Sequence, residues 1–144
     1  MILPASEEHL DEILAIEREA FSQPWTYHHF KNDLLRNVLS ENWVGLDNNN
    51  VIAYVFGWLV SGEYHLNNIA VHCDYREKGI GKKVLTIVTE KIRRLNVHTM
   101  FLEVSASNLP ARKLYESNGF EAVGERKDYY TKGDDAVLYT LRLK

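Results

Sequence analysis

The chain has 144 residues, of which 45% are hydrophobic and 26% charged, with a net charge of −3; that suits a single domain over residues 1–144 with one sizeable core. The charge argues against nucleic acid as the main partner and is compatible with a basic substrate, and the lone Cys73 excludes an internal disulfide. No apolar run reaches the roughly 18 residues of a membrane span, and Glu7 and Glu8 stand where a signal peptide would carry basic residues, so the cytoplasm is the expected compartment.

Ile2–Ala5 reads as a short first strand. Ser6 can cap a helix with the apolar stripe Leu10, Ile13, Leu14, Ala20 and Phe21, with Glu17 as its polar edge. Gln23-Pro24-Trp25 breaks that helix, and Thr26 can cap a shorter one bearing Tyr27, Phe30 and Leu34. Trp43–Leu46 and Val51–Val60 read as strands joined by an Asn48-Asn49-Asn50 turn, because Asn tolerates left-handed backbone angles. Ser61-Gly62-Glu63 turns the chain into Tyr64–Val71, a further strand.

After that strand comes Arg76-x-x-Gly79-x-Gly81, leading into a helix with Val84, Leu85, Val88, Ile92 and Leu95 on one face. Glycines before a helix bare the backbone N–H groups at its N-terminus, a site suited to phosphate, and Arg76, Lys78 and Lys82 add positive charge. Neither of two common phosphate loops fits: there is no Gly-x-x-x-x-Gly-Lys, and Val84 breaks Gly-x-Gly-x-x-Gly. Thr99–Val104 is a strand, Pro110 suits the first turn of a fourth helix, and Gly119 its stop. Phe120–Glu125 and Ala136–Leu143 close the chain as strands. The order predicts an α/β fold, one mixed sheet with helices on both faces.

Glu103 lies within an apolar strand expected to be covered on both faces. It is either a structural acid paired to a base or, if desolvation raises its pKa, a general base. Tyr115 is a core tyrosine or a phenol able to protonate a leaving group. Asn108 reads as a helix cap or a ligand contact. Tyr129-Tyr130, in a loop between the last strands, either packs that loop or shapes a substrate groove. Trp25 is a lid, a core anchor or a substrate contact. Cys73 has no partner that would make it a nucleophile. The six His show no metal-ligand spacing, and no metal is expected.

Ile69-Ala70-Val71, Arg76-x-x-Gly79-x-Gly81, Asn108 and Leu114-Tyr115-Glu116-Ser117-Asn118-Gly119-Phe120, in this order along nearly the whole chain, resemble the GNAT N-acetyltransferases. Phe21-x-x-Pro24-Trp25, Asn68-Ile69-Ala70-Val71, Leu102-Glu103-Val104-x-x-x-Asn108 and Arg126-x-x-Tyr129-Tyr130 are similar to the RimI branch of that family, the bacterial protein N-terminal alanine acetyltransferases. Two departures are Cys73, where proline is common, and Asp128, where asparagine often precedes the tyrosine pair. The first bears on the turn before the phosphate loop, the second on peptide preference.

The resemblance implies a GNAT-like fold and acetyl-CoA as co-substrate. It places the pantetheine arm on the strand at Ile69, Ala70 and Val71, and the pyrophosphate on Arg76, Glu77, Lys78, Gly79, Ile80, Gly81 and Lys82, with Asn108 across the arm. It makes Glu103 the base, Tyr115 the acid, and Trp25, Tyr129 and Tyr130 substrate contacts. The implied substrate is a protein N-terminus with a small first residue, the alanine of ribosomal small-subunit protein eighteen, acted on by a monomer. The alternatives are an acetyltransferase for a small amine or a lysine side chain, and a binding module that senses acyl-CoA without turnover.

Overall fold

The structure is a computed structural model and describes residues 1–144. Its strands are β1 (Ile2–Pro4), β2 (Ser40–Asp47), β3 (Asn50–Val60), β4 (Glu63–Val71), β5 (Thr99–Ser105), β6 (Glu121–Thr131) and β7 (Asp134–Arg142). Its helices are α1 (Leu10–Ala20), α2 (Tyr27–Leu35), α3 (Ile80–Arg93) and α4 (Leu109–Ser117). No helix is long and apolar enough to cross a membrane. The strands form one seven-stranded sheet in the order β1-β2-β3-β4-β5-β7-β6. Only the β4–β5 pair is parallel.

Local chemistry accounts for most boundaries. The Thr26 hydroxyl accepts from the His29 N–H at 3.1 Å and starts α2, and the Asn108 side chain accepts from the Ala111 N–H at 3.2 Å and starts α4. Asn48 and Asn49 both take positive φ, at 51° and 67°, which matches the right-handed twist of a tight hairpin. Ser6 opens a 3-10 turn, Glu7–His9, that leads into α1. Leu95 lies beyond the end of α3 and is largely exposed.

Each face of the sheet carries its own core. On one, Val84, Leu85, Val88 and Ile92 of α3 and Tyr115 of α4 pack on Trp43, Val55, Tyr64, Leu66, Met100, Leu102 and Val104. On the other, Leu10, Ile13, Leu14 and Ile16 of α1 and Phe30 of α2 pack on Val44, Tyr54, Phe56 and Ala70. Each such aliphatic side chain, fully buried, contributes about 1.5–3 kcal/mol. The sheet is therefore covered on both faces through β4. At β5 the cover is one-sided: Met100, Leu102 and Val104 are buried against α3, whereas Phe101 and Glu103 on the opposite face are half-exposed. The expectation that this strand is enclosed on both faces is corrected, because α1 and α2 stop over β2–β4 and do not reach β5.

A bulge in β4 opens the sheet. Phe56 pairs with Asn68 but Gly57 pairs with Leu66, so Asn67 has no partner on β3. The extra residue reverses the alternation of side chains. Leu66 joins the core under α3, while Ala70, four residues on, joins the core under α1. The parallel pairing of β4 with β5 runs only from Glu63 to His65. Beyond the bulge the two strands part, leaving a wedge between Asn68–Val71 and Leu102–Ser105. Gly57 is required beside the bulge, since a Cβ there would meet the Tyr64 ring at 2.2 Å.

Candidate active site

The wedge exposes backbone. In an antiparallel pair, alternate residues exchange both hydrogen bonds. The His72 N–H to Ile52 carbonyl bond, at 2.7 Å, fixes the phase of the β3–β4 ladder. Ile69 and Val71 thus turn their amides away from β3 into the wedge. Ala70 does not: its backbone faces Tyr54 in the ladder and its side chain is buried under α1. Of the strand triplet, only Ile69 and Val71 present groups there, and the Val71 carbonyl already accepts from Arg76 Nε at 2.9 Å.

The turn after β4 lies at the mouth of the wedge. Cys73–Tyr75 forms a 3-10 turn, so Cys73 in place of proline does not prevent it; His72 Nδ1 caps the turn, accepting from the Asp74 N–H at 3.1 Å. Glu77 and Gly79 take positive φ, 61° and 77°. No protein group accepts from the backbone N–H groups of Glu77 to Lys82, a run of bare donors at the start of α3 that suits an anion. Arg76 differs from expectation. Its guanidinium is held by both oxygens of Glu19 on α1, at 2.9 and 2.5 Å, so its charge is spent on closing α1 over the turn. Lys78 lies over the Tyr75 ring at 5.9 Å. His72, Cys73 and Asp74 bring three ligand-type atoms within 4.8 Å of one another, a grouping the histidine spacing did not reveal.

Glu103 projects from the uncovered face of β5, where its carboxylate meets Arg126 of β6 at 3.1 Å. Tyr115 is on α4, its ring edge-on to Phe120 and tilted against Tyr139. Its hydroxyl has no protein hydrogen-bond partner and is not sealed from solvent. Burial, and then Tyr130, push its phenol well up, so it keeps its proton at neutral pH. Tyr130 is pushed up to about 12 by burial first, then by the charge of Glu103. Tyr130 of β6 thus feels Glu103 of β5 and is felt by Tyr115 of α4.

Tyr129 and Tyr130 are not in a loop. β6 continues to Thr131 and β7 starts at Asp134, so the pair sits on the far half of a long hairpin, edge-to-face at 5.1 Å. Asp128 makes the distortion that this requires. It takes φ 52°, its carboxylate accepts the Gly133 N–H at 2.6 Å, and its own N–H donates to Asp135 at 2.8 Å. Asp, like Asn, tolerates this left-handed conformation. Trp25 is half-buried, stacked on His29 at 3.7 Å and packed against Phe30 and Phe56.

Glu17 departs furthest from the sequence reading. The expected polar edge of α1 is 2% exposed. Its carboxylate accepts from the Tyr54 hydroxyl at 2.5 Å, the Asn68 amide at 2.8 Å and the Trp25 backbone N–H at 2.9 Å. Burial and the nearby carboxylate push the Tyr54 phenol far up, so it remains a donor. The available signal was spacing: Glu17 follows Leu10, Ile13 and Leu14 at the next position of the apolar stripe.

Residues 9–120 match the Acetyltransferase (GNAT) family. The chain belongs to the GNAT family. It is an N-acetyltransferase, and the family implies use of acetyl-CoA. It is 32% identical to the ribosomal protein bS18-alanine N-acetyltransferase of Haemophilus ducreyi, covering 99% of this chain and 100% of that protein. It is 34% identical to that of Escherichia coli K12, covering 88% and 86%. The crystal structure of the Escherichia coli ribosomal-protein-S18-alanine N-acetyltransferase superposes with a TM-score of 0.92, at 30% identity over 100% of this chain and 94% of that one. The wedge and the bare amides at the start of α3 fit the GNAT co-substrate, an extended arm ending in a pyrophosphate.

Proposed function

We propose that the chain acetylates protein N-termini, with the N-terminal alanine of ribosomal protein bS18 as its substrate. The observation that carries this reading is the likeness to bS18-alanine N-acetyltransferases along the whole chain. Bound acetyl-CoA would supply an activated acetyl group on a thiol leaving group. Ile69 and Val71 hold the arm as an added strand, and the amides of Glu77 to Lys82, with the Lys78 and Lys82 charges, hold the pyrophosphate. Asn108, at the start of α4, keeps its side-chain N–H groups free for the arm while its oxygen caps the helix.

The protonated α-amine of the substrate has a pKa of roughly 7.7–8, so only mild deprotonation is needed. Glu103 takes that proton, through water, on the open face of β5. Tyr115 holds its own proton at Oη for the departing sulfur, a task suited to a phenol kept neutral by burial. Trp25 and the Tyr129-Tyr130 pair wall the acceptor side, and the overall charge of −3 suits an N-terminus followed by basic residues.

The test is a panel of acceptors with acetyl-CoA, read by mass spectrometry. An Ala-Arg-starting peptide should be modified on its α-amine in preference to its blocked, lysine-containing counterpart and to spermidine. Preference for either competitor would overturn the substrate assignment.

A further inference from the structure

We propose that Glu17 is a positioning residue for the reaction. Its carboxylate ties the acceptor loop at Trp25 to the donor strand at Asn68, and so fixes the amine against the acetyl group. The inference rests on Trp25 walling the acceptor side, as proposed above.

Glu17 is 2% exposed, and a carboxylate in such a place is costly unless its oxygens are occupied. Its partners are neutral donors from three separate elements. An aliphatic residue at this position, packed like Ile13 and Leu14, would close α1 onto the sheet without that cost. What an aliphatic side chain cannot do is hold two particular donors in register. Oε2 accepts from Trp25, the first residue after the Pro24 break. Oε1 accepts from Asn68, the first residue past the bulge, next to Ile69 whose amides face the wedge. One carboxylate therefore spans from the loop on the acceptor side to the point where β4 leaves β5. The third donor, the Tyr54 hydroxyl, comes from β3, shares Oε1 with Asn68 and bonds to no group of the acceptor loop or of β4.

The test separates the tie from general stability. Glu17→Gln keeps the volume but offers one acceptor oxygen, and its amide turns N–H groups towards donors. It should raise the peptide KM by about tenfold or more, with acetyl-CoA Kd unchanged. Tyr54→Phe removes a donor to Glu17 but cuts neither the Trp25 bond nor the Asn68 bond, and should leave KM as in the wild type even where it lowers the unfolding midpoint. Asn68→Ala cuts the tie from the β4 end and should move KM in the same direction, which decides the matter if Glu17→Gln does not fold. A wild-type KM in Glu17→Gln, or in Asn68→Ala where the former does not fold, would overturn the inference. So would an equal rise in Tyr54→Phe. If the wild type prefers lysine or spermidine, the substrate assignment fails separately, and the same variants are read with the preferred amine.

Discussion

Arg126 on β6 pairs with Glu103 on β5 at 3.1 Å, reaching past β7, the strand that lies between them. With Glu103 as the proposed base, the arginine competes with the substrate's ammonium for that carboxylate. In the same position its guanidinium lies over the Tyr129 ring, at 5.3 Å. Both partners are partly exposed, so the pair contributes only about 0–1 kcal/mol. Arg126→Gln should leave the unfolding midpoint nearly unchanged and lower the peptide KM, because a competing cation is gone. A raised KM in steady-state kinetics would show instead that Arg126 helps to bind the peptide.

Glu103→Gln keeps the shape of the side chain and removes its basicity. Turnover should fall by about 10²–10⁴-fold, with acetyl-CoA binding and folding retained. Calorimetric titration alongside kinetics separates the two, and wild-type turnover would assign Glu103 a structural role.

Tyr115→Phe deletes a hydroxyl that bonds to no protein group. Stability should therefore change little, acetyl-CoA affinity should hold, and kcat should drop. A matched fall in unfolding midpoint and activity would make Tyr115 a core residue only.

Gly81→Asp places a negative charge among the bare amides at the start of α3. Its Cβ would rest at 3.5 Å from Leu114 and 3.7 Å from Val71, ordinary contacts, so the variant should fold. Acetyl-CoA Kd, read by titration calorimetry, should rise by at least about tenfold, the factor carried by losing one charge-assisted hydrogen bond. Unchanged affinity in the folded variant would move the pyrophosphate elsewhere.

Burial pushes the phenols of Tyr54, Tyr64 and Tyr115 well up, and that of Tyr130 to about 12, from an ordinary value of 10.0. A phenol with a raised pKa holds its proton more tightly in the fold than in the unfolded chain. Stability from this source is whole below pH 10 and is lost as pH rises through about 12. Urea midpoints should fall steeply above pH 10, and Tyr115→Phe should flatten that slope. A midpoint level across the window would contradict these assignments.

Thr26, Asn108, Gly119 and the Asn48-Asn49 turn were legible in the sequence because each acts on backbone within a few residues of itself. So was the two-faced sheet, since helical and strand periods differ. Glu17 was not, although it sits on the apolar stripe: its three donors are 8, 37 and 51 residues away, and no local pattern reports them. The same holds for Arg76, whose partner Glu19 is 57 residues off. Tyr129 and Tyr130 were misplaced into a loop because Arg126-Lys127-Asp128 reads as polar punctuation; both faces of that part of β6 are exposed, so no apolar alternation marks the strand. Glu103 kept its position in the strand but not its enclosure, which depends on how far α1 and α2 extend sideways.

Asn67 makes the opening of the sheet separable from its packing. Without it, Leu66 opposite Gly57 and Asn68 opposite Phe56 would be successive pairs of a regular ladder, and every side chain of β4 would keep the face it already occupies. Both cores would survive the deletion; what would go is the local kink that one unpaired residue puts into the strand where β4 leaves β5. The width of the wedge is therefore a backbone property of a single position, adjustable without repacking either side of the sheet.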